Sequence, residues 1–110
     1  MPFNAALVER IRHLLQGSPD VVEKKMFGGM AFMVRGHMAC GPMSDGTFMV
    51  RVAAQDTDLM LALPHTTLML HGGRSMRGFI VIAPEGYAAD ADLAVWVDRG
   101  VAHARTLPPK

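Results

Sequence analysis

Two pairs of basic side chains are the residues in this sequence best suited to hold a ligand. Lys24 and Lys25 end a β-branched run, and Arg74 and Arg77 lie in the glycine-rich segment 72–78. Backbone N–H groups can converge in a loop of that composition, and two guanidinium groups beside it could hold a phosphate or a carboxylate. The alternative is that all four charges merely solvate strand ends and a loop. Both interpretations stay open on the sequence alone.

Arg51 adds a further cation, but the overall charge is small. The formal net charge is +1 with His neutral, so no global field draws the protein to nucleic acid or to a membrane surface. Tight duplex binding typically neutralises about 6–10 phosphates. Direct contact with DNA therefore stays an alternative to the expected function. The affinity of such a contact would depend only weakly on salt.

His37 and Cys40 are the residues that could ligate a metal or form a nucleophile with its base. Their spacing, with many methionines between positions 26 and 49, would suit Cu(I). In a regular strand, however, that spacing puts the two side chains on opposite faces. The sequence has no G-x-S-x-G, P-loop or H-E-x-x-H motif. We therefore predict no catalytic residue, no metal site and no cofactor.

Composition indicates a single globular domain over residues 1–110, with 107–110 as a flexible tail. Apolar residues make up 50% of the chain and charged residues 19%, which is ordinary for a folded domain. A lone cysteine excludes an internal disulfide and fits a reducing compartment. No apolar stretch of about 20 residues occurs, and we expect no signal peptide. The expected location is the cytoplasm.

Hydrophobic periodicity predicts three helices and a sheet of five or so strands. An apolar stripe predicts a first helix between Asn4 and Gly17, a short helix is predicted over 53–63, and a last helix should open at Asp90 or Asp92. The first stripe comprises Leu7, Val8, Ile11, Leu14 and Leu15, and the last comprises Leu93, Val97, Val101 and Ala104, flanked by Trp96. Strands are predicted at 21–27, 30–34, 37–41, 48–52, 66–70 and 79–82, the last covered on both faces. Residues 71–78 are expected to form a loop.

The predicted turn at Arg35-Gly36 sets the expected pairing of the two strands around it. A two-residue turn would place Val34 opposite His37, Phe32 opposite Ala39 and Met30 opposite Gly41. The helices should cover one face of the sheet. The other face is then expected to carry Met33, Met38, Met49, Arg51 and Cys40. Such an apolar face predicts a partner chain or a covering helix.

Four short motifs in order resemble the N-terminal domain of the TfoX/Sxy competence regulators. They are Lys25-Met26-Phe27-Gly28-Gly29, then Leu63-Pro64-His65, then the run from Gly73 through Arg74 and Arg77 to Gly78-Phe79, and finally Trp96-Val97 with His103-Ala104-Arg105. The resemblance makes Phe27, Gly28, Gly29, Gly73 and Gly78 structural landmarks. It implies an α+β domain of the secretion-chaperone-like type, in the order α-β(3)-α-β(2)-α. We expect this domain alone, without the C-terminal helical domain that full-length regulators carry.

The resemblance also implies a regulatory role. The best-known members are cytoplasmic bacterial proteins that activate natural competence together with a cyclic-AMP-responsive activator. For this chain we expect a non-enzymatic protein-interaction domain, most simply a homodimer, with another regulatory protein as a further partner class. The recognition surface would be a methionine-rich apolar face ringed by Lys24, Lys25, Arg51, Arg74 and Arg77, which would select an acidic partner.

Overall fold

The computed structural model describes residues 5–26 and 29–109. Its helices are α1 (Ala5–Leu14), α2 (Thr57–Leu61), α3 (Pro84–Tyr87) and α4 (Asp90–Thr106), with a 3₁₀ turn (Ala54–Asp56) before α2. Its strands are β1 (Val21–Met26), β2 (Gly29–Val34), β3 (His37–Pro42), β4 (Phe48–Arg51), β5 (Thr66–His71) and β6 (Arg74–Ile82). The predicted N-cap Asn4 and the landmarks Phe27 and Gly28 lie outside the described residues.

The six strands form one antiparallel sheet in the order β1-β2-β3-β4-β6-β5. Each strand pairs with its neighbour in the chain, except that β6 lies between β4 and β5. The α+β fold predicted from the sequence is confirmed. Strands β1 and β5 form the two edges of the sheet.

The helices pack on one face of the sheet, and this covered face contains the core. Residues Phe32, Phe48, Ile80 and Ile82 project from the strands into a cluster completed by α1, α3 and α4. Every residue of the predicted stripe of α4 is buried. In α1, Leu7, Val8 and Ile11 are buried, whereas Leu14 is 40% exposed, so its predicted place in the core is wrong.

Arg10 ties the two terminal helices together on this covered side. Its guanidinium donates hydrogen bonds to the carbonyls of Tyr87 and Ala88, both at 3.0 Å, and to Asp90 Oδ1 at 2.9 Å. Those carbonyls lie at the junction of α3 and α4, which is therefore held against α1. The sequence predicted only a turn where α3 forms.

A β-bulge in β3 changes the predicted pairing of β2 with β3. Val34 does face His37, but Phe32 pairs with Cys40, which leaves Ala39 as the extra residue. The predicted pair of Phe32 with Ala39 is therefore wrong. Because an extra residue reverses the alternation beyond it, Cys40 lies on the covered face, fully buried, and not on the opposite face as predicted.

Residues 71–78 form a hairpin and a bulge instead of the predicted loop. Gly72 and Gly73 both have positive φ, +60° and +79°, and connect β5 to β6 as a two-residue turn. The pairing then shifts between Leu68 and Met69. Strand β6 bends at this shift, where Gly78 adopts a φ of +87°.

The bend at Gly78 is anchored by a buried threonine that the sequence analysis missed. Thr57 at the start of α2 is fully buried; its Oγ1 accepts the Gly78 N–H at 2.8 Å and its hydroxyl donates to the Ala54 carbonyl at 2.7 Å. A Cβ at Gly78 would lie 2.9 Å from the Val52 carbonyl oxygen. The landmark glycine is thus required by both its backbone angle and its close neighbour.

Strand β6 also differs from the prediction in its environment. Ile80 and Ile82 are buried, whereas Phe79 and Val81 are only partly buried. The strand is therefore fully covered on one face, and its prediction as a strand covered on both faces is wrong. A continuous apolar run is compatible with a strand buried on one face or on both faces. Which of the two occurs depends on how the sheet around β6, including β4 and β5, is covered.

None of the helices within residues 5–26 and 29–109 has the length and apolar character required to cross a lipid bilayer.

After α4 the described chain passes over β3, where the His37 Nε2–H donates a hydrogen bond to the Pro108 carbonyl at 2.6 Å.

Candidate functional site

An apolar cavity of about 200 Å³ lies on the face of the sheet opposite the helices. We call this face the open face and the cavity the methionine cavity. Its walls combine methionine side chains with Phe79, Pro42 and the backbone at two glycines. The methionine side chains are those of Met38, Met43, Met49, Met69 and Met76; Met30 also borders the cavity, but its side chain packs against the core on the covered side. A flexible, polarisable thioether lining can reshape around different apolar groups.

The cavity exists because the sheet curls. Its lining residues come from β2 through β6, and β2 and β5 would lie about 19 Å apart in a flat sheet of regular spacing. The bulge at Ala39 and the bend at Gly78 are the irregularities that increase twist and curvature. The bend at Gly78 carries Met76 over the open face.

A close backbone approach at Gly29 shapes the part of the cavity wall between β2 and β3. A Cβ on Gly29 would lie 2.2 Å from the carbonyl oxygen of Pro42. Only glycine lets the start of β2 reach the end of β3 in this way. Gly29 is a landmark of the family motif, and its physical role here is to bring these two strand ends together.

The open face carries cations and no acidic strand residue. Glu23 is the one acid in the described strands, and it accepts hydrogen bonds from Arg12 of α1, so it faces the helices. Alternation along β1 then places Lys24 on the open face and Lys25 on the covered side. In the same way Arg74 shares a face with the cavity residue Met76.

Arg51 also belongs to the open face. Its guanidinium lies 5.4 Å from the ring centroid of Phe79, the residue that pairs with it across β4 and β6. This distance is that of a cation–π contact. Because Phe79 lines the cavity, the Arg51 charge stands at its margin.

The five predicted basic residues do not form a single patch. Lys24 and Lys25 lie on the edge strand β1, whereas Arg74 and Arg77 lie in β6, about 19 Å away by strand spacing. Arg77 points to the helix side, where its Nη1 lies 3.5 Å from Asp58 Oδ1. Of the five, Lys24, Arg51 and Arg74 share the open face.

The cysteine and histidine considered for chemistry lie on the covered side. The bulge puts His37 and Cys40 on the same face, so the expected separation onto opposite faces is wrong. Burial raises the pKa of the Cys40 thiol to about 12, which opposes formation of the reactive thiolate. Within residues 5–26 and 29–109, no group of three or more His, Cys, Asp or Glu side chains is arranged to hold a metal ion.

Sequence reasoning found part of the cavity and missed the rest. Met38 and Met49 were placed correctly on the open face, but the contributions of Met43, Met69, Met76 and Phe79 were not foreseen. The available signal was the Gly72-Gly73 pair between two apolar segments, which is typical of a two-residue hairpin.

The whole chain was compared with protein families, curated proteins and solved structures. Curated proteins and solved structures gave no match. The sequence profile of the TfoX N-terminal domain matches residues 13–104, which include every residue of the methionine cavity and the bends that shape it. This chain belongs to the TfoX N-terminal domain family.

Proposed function

We propose that this domain is a non-enzymatic, cytoplasmic protein-interaction module with a regulatory role, as in the competence regulators of its family. It binds its partner with the open face of the sheet. The observation that carries the proposal is the methionine cavity, an adaptable apolar surface that no helix of the described chain covers. Exposed apolar surface of this kind marks interaction sites on soluble domains.

The apolar surface extends beyond the cavity. Val22 on the edge strand is 62% exposed, and it pairs with the partly buried Met33 on the open face. A partner that covers the cavity would therefore also find contacts toward β1. Burial of such side chains supplies most of the affinity of protein interfaces, while the polar rim sets the choice of partner.

A small-anion or nucleotide site in residues 72–78 is less well supported by the geometry. The two glycines of the turn serve a hairpin, and Arg77 already pairs with Asp58. Arg74 and Arg77 also project to opposite sides of β6. Two guanidinium groups on opposite sides of a strand do not converge on one phosphate.

Paired photo-crosslinking positions test the proposed function. A photoreactive amino acid would replace Met33 on the open face or Val95, which is 46% exposed on α4. In cells that express the protein from its own promoter, we expect a discrete protein adduct from position 33 and none from position 95. Adducts only from position 95, or from neither position, would contradict the proposal.

A further inference from the structure

The size of the methionine cavity indicates what its occupant would insert. The cavity measures about 200 Å³ and its lining is almost wholly apolar. An engineered apolar cavity of about 150 Å³ in another protein binds benzene. A phenyl ring therefore fits here, and the surrounding methionine sulfurs make favourable contacts with aromatic rings.

The charges on the open face indicate what surrounds that ring. Lys24 pairs across the strands with the cavity residue Ala31, Arg51 stacks on Phe79, and Arg74 shares a face with Met76. All three of these open-face charges are positive, and the one acid of the described strands faces away. Electrostatic complementarity then favours carboxylates on the partner.

A second copy of this chain is a poor match to the same surface. In a symmetric dimer through the open face, each copy would present the same three cations to the other. Like charges brought together at an interface disfavour the contact. The charge pattern thus separates a heterologous acidic partner from the homodimer expected from the sequence.

We propose that the methionine cavity is the anchor pocket for one aromatic side chain of an acidic peptide segment in a partner protein. The inference rests on the proposed function and specifies its partner. The ring enters between Met38, Met49 and Met76, and flanking carboxylates of the segment meet Lys24, Arg51 and Arg74. Apolar burial supplies the affinity and the cations select against basic segments.

A labelled synthetic peptide with one phenylalanine between glutamates tests this proposal by fluorescence anisotropy. Replacing the phenylalanine by alanine should weaken binding about 10- to 100-fold, the loss expected when a buried Phe side chain is removed. A peptide with lysines in place of the glutamates should not bind. Equal binding of the acidic and basic peptides would overturn the charge argument, and equal binding of the phenylalanine and alanine peptides would overturn the anchor.

Two matched pairs of protein variants locate the contact. Met38→Gln should weaken binding of the acidic peptide about tenfold, whereas Met33→Gln, on the same face but outside the cavity lining, should not. Arg51→Gln should weaken binding and reduce its salt dependence. Arg99→Gln should do neither, because Arg99 stacks on Trp96 of α4 at 4.5 Å, on the covered side.

Sedimentation of the same samples decides between the partner classes. We expect a monomer that binds the peptide. A dimer that Met38→Gln dissociates, with no peptide bound, would overturn the inference in favour of a second copy. If the peptide fails to bind but position 33 still crosslinks to a partner, the inference falls and the proposed function stands; if both fail, both fall.

Discussion

Both faces of the sheet carry large apolar side chains, but these side chains form a packed core on the covered face and line a cavity on the open face. On the covered face, Phe32 and Phe48 are immobilised among helices, and Phe48 meets Tyr87 edge-on with ring centroids 6.0 Å apart. On the open face, flexible methionines surround a space that no described side chain fills. Close packing of rigid rings specifies one structure. The flexible methionine side chains around the cavity can rearrange to accommodate a ligand.

The charged residues also differ between the covered face and the open face. The covered side contains ion pairs that join separate elements, such as Arg12 with Glu23 and Arg105 with Asp20. On the open face, the three cations have no acidic neighbour in the described strands. Paired charges serve the fold, whereas unbalanced charges of one sign steer and select partners.

The largest difference between the faces should come from one substitution made on each. Phe48→Ala removes a fully buried ring and should cost about 3–5 kcal/mol of unfolding free energy. Phe79→Ala, on the partly buried open face, should cost about 1 kcal/mol. Urea denaturation followed by circular dichroism measures both. Equal losses would contradict the division into a packed face and an open face.

Removing the anchor of the β6 bend should have the next largest effect. Thr57→Val keeps the side-chain shape but leaves the Gly78 N–H and the Ala54 carbonyl without this partner, at a cost of about 1–3 kcal/mol. Thr67→Val, on exposed β5, should change stability by less than about 0.5 kcal/mol. We also expect Thr57→Val to weaken peptide binding, because the bend carries Met76. Unchanged stability in the Thr57 variant would contradict this role.

Acid should lower the stability of the folded protein by breaking ion pairs on the covered side. The hydrogen bonds from Arg12 lower the pKa of Glu23, and those from Arg105 lower the pKa of Asp20. A carboxyl whose pKa is lowered by folding contributes stability above its unfolded pKa of about 4, and this contribution is lost as pH falls further. The urea midpoint should therefore drop between about pH 5 and pH 3.

The matched variant for this pH dependence is Glu23→Gln. It should show a smaller drop than the parent protein. The same drop in Glu23→Gln as in the parent would show that this ion pair does not contribute.

The smallest effect on stability is expected at the edge of the open face. Val22→Thr keeps the β-branched shape at a side chain that is already 62% exposed, so stability should change by less than about 0.5 kcal/mol. Denaturation and sedimentation together check this expectation. A loss of more than 1 kcal/mol, or a change in oligomeric state, would show that Val22 is covered in solution.

Local patterns in the sequence predicted the helices α1, α2 and α4, the approximate positions of the six strands and the antiparallel α+β arrangement, but not α3 or the first part of β6. The stripe of α4 is an example, because its period alone decides which residues are buried. The uncovered face could be foreseen from Met38 and Met49, which alternate with core residues. Family motifs marked Gly78 before any physical role for it was evident.

The features that local patterns did not predict are the bulge, the bend and the cavity. These features depend on residues that are far apart in the chain. The bulge at Ala39 moves Cys40 to the covered face, and nothing in the alternation of β3 marks an extra residue there. The bend at Gly78 depends on Thr57, which lies 21 positions away. Since both irregularities curl the sheet, the concave shape of the cavity could not be predicted from the strands one at a time.

Methyl NMR of methionine-labelled protein, titrated with the acidic phenylalanine peptide, tests the central claim most directly. The account predicts shifts at the methyls of Met38, Met49, Met69 and Met76, with none at Met60, which packs against the core from α2. Shifts at Met60 with an unchanged methionine cavity would contradict the account.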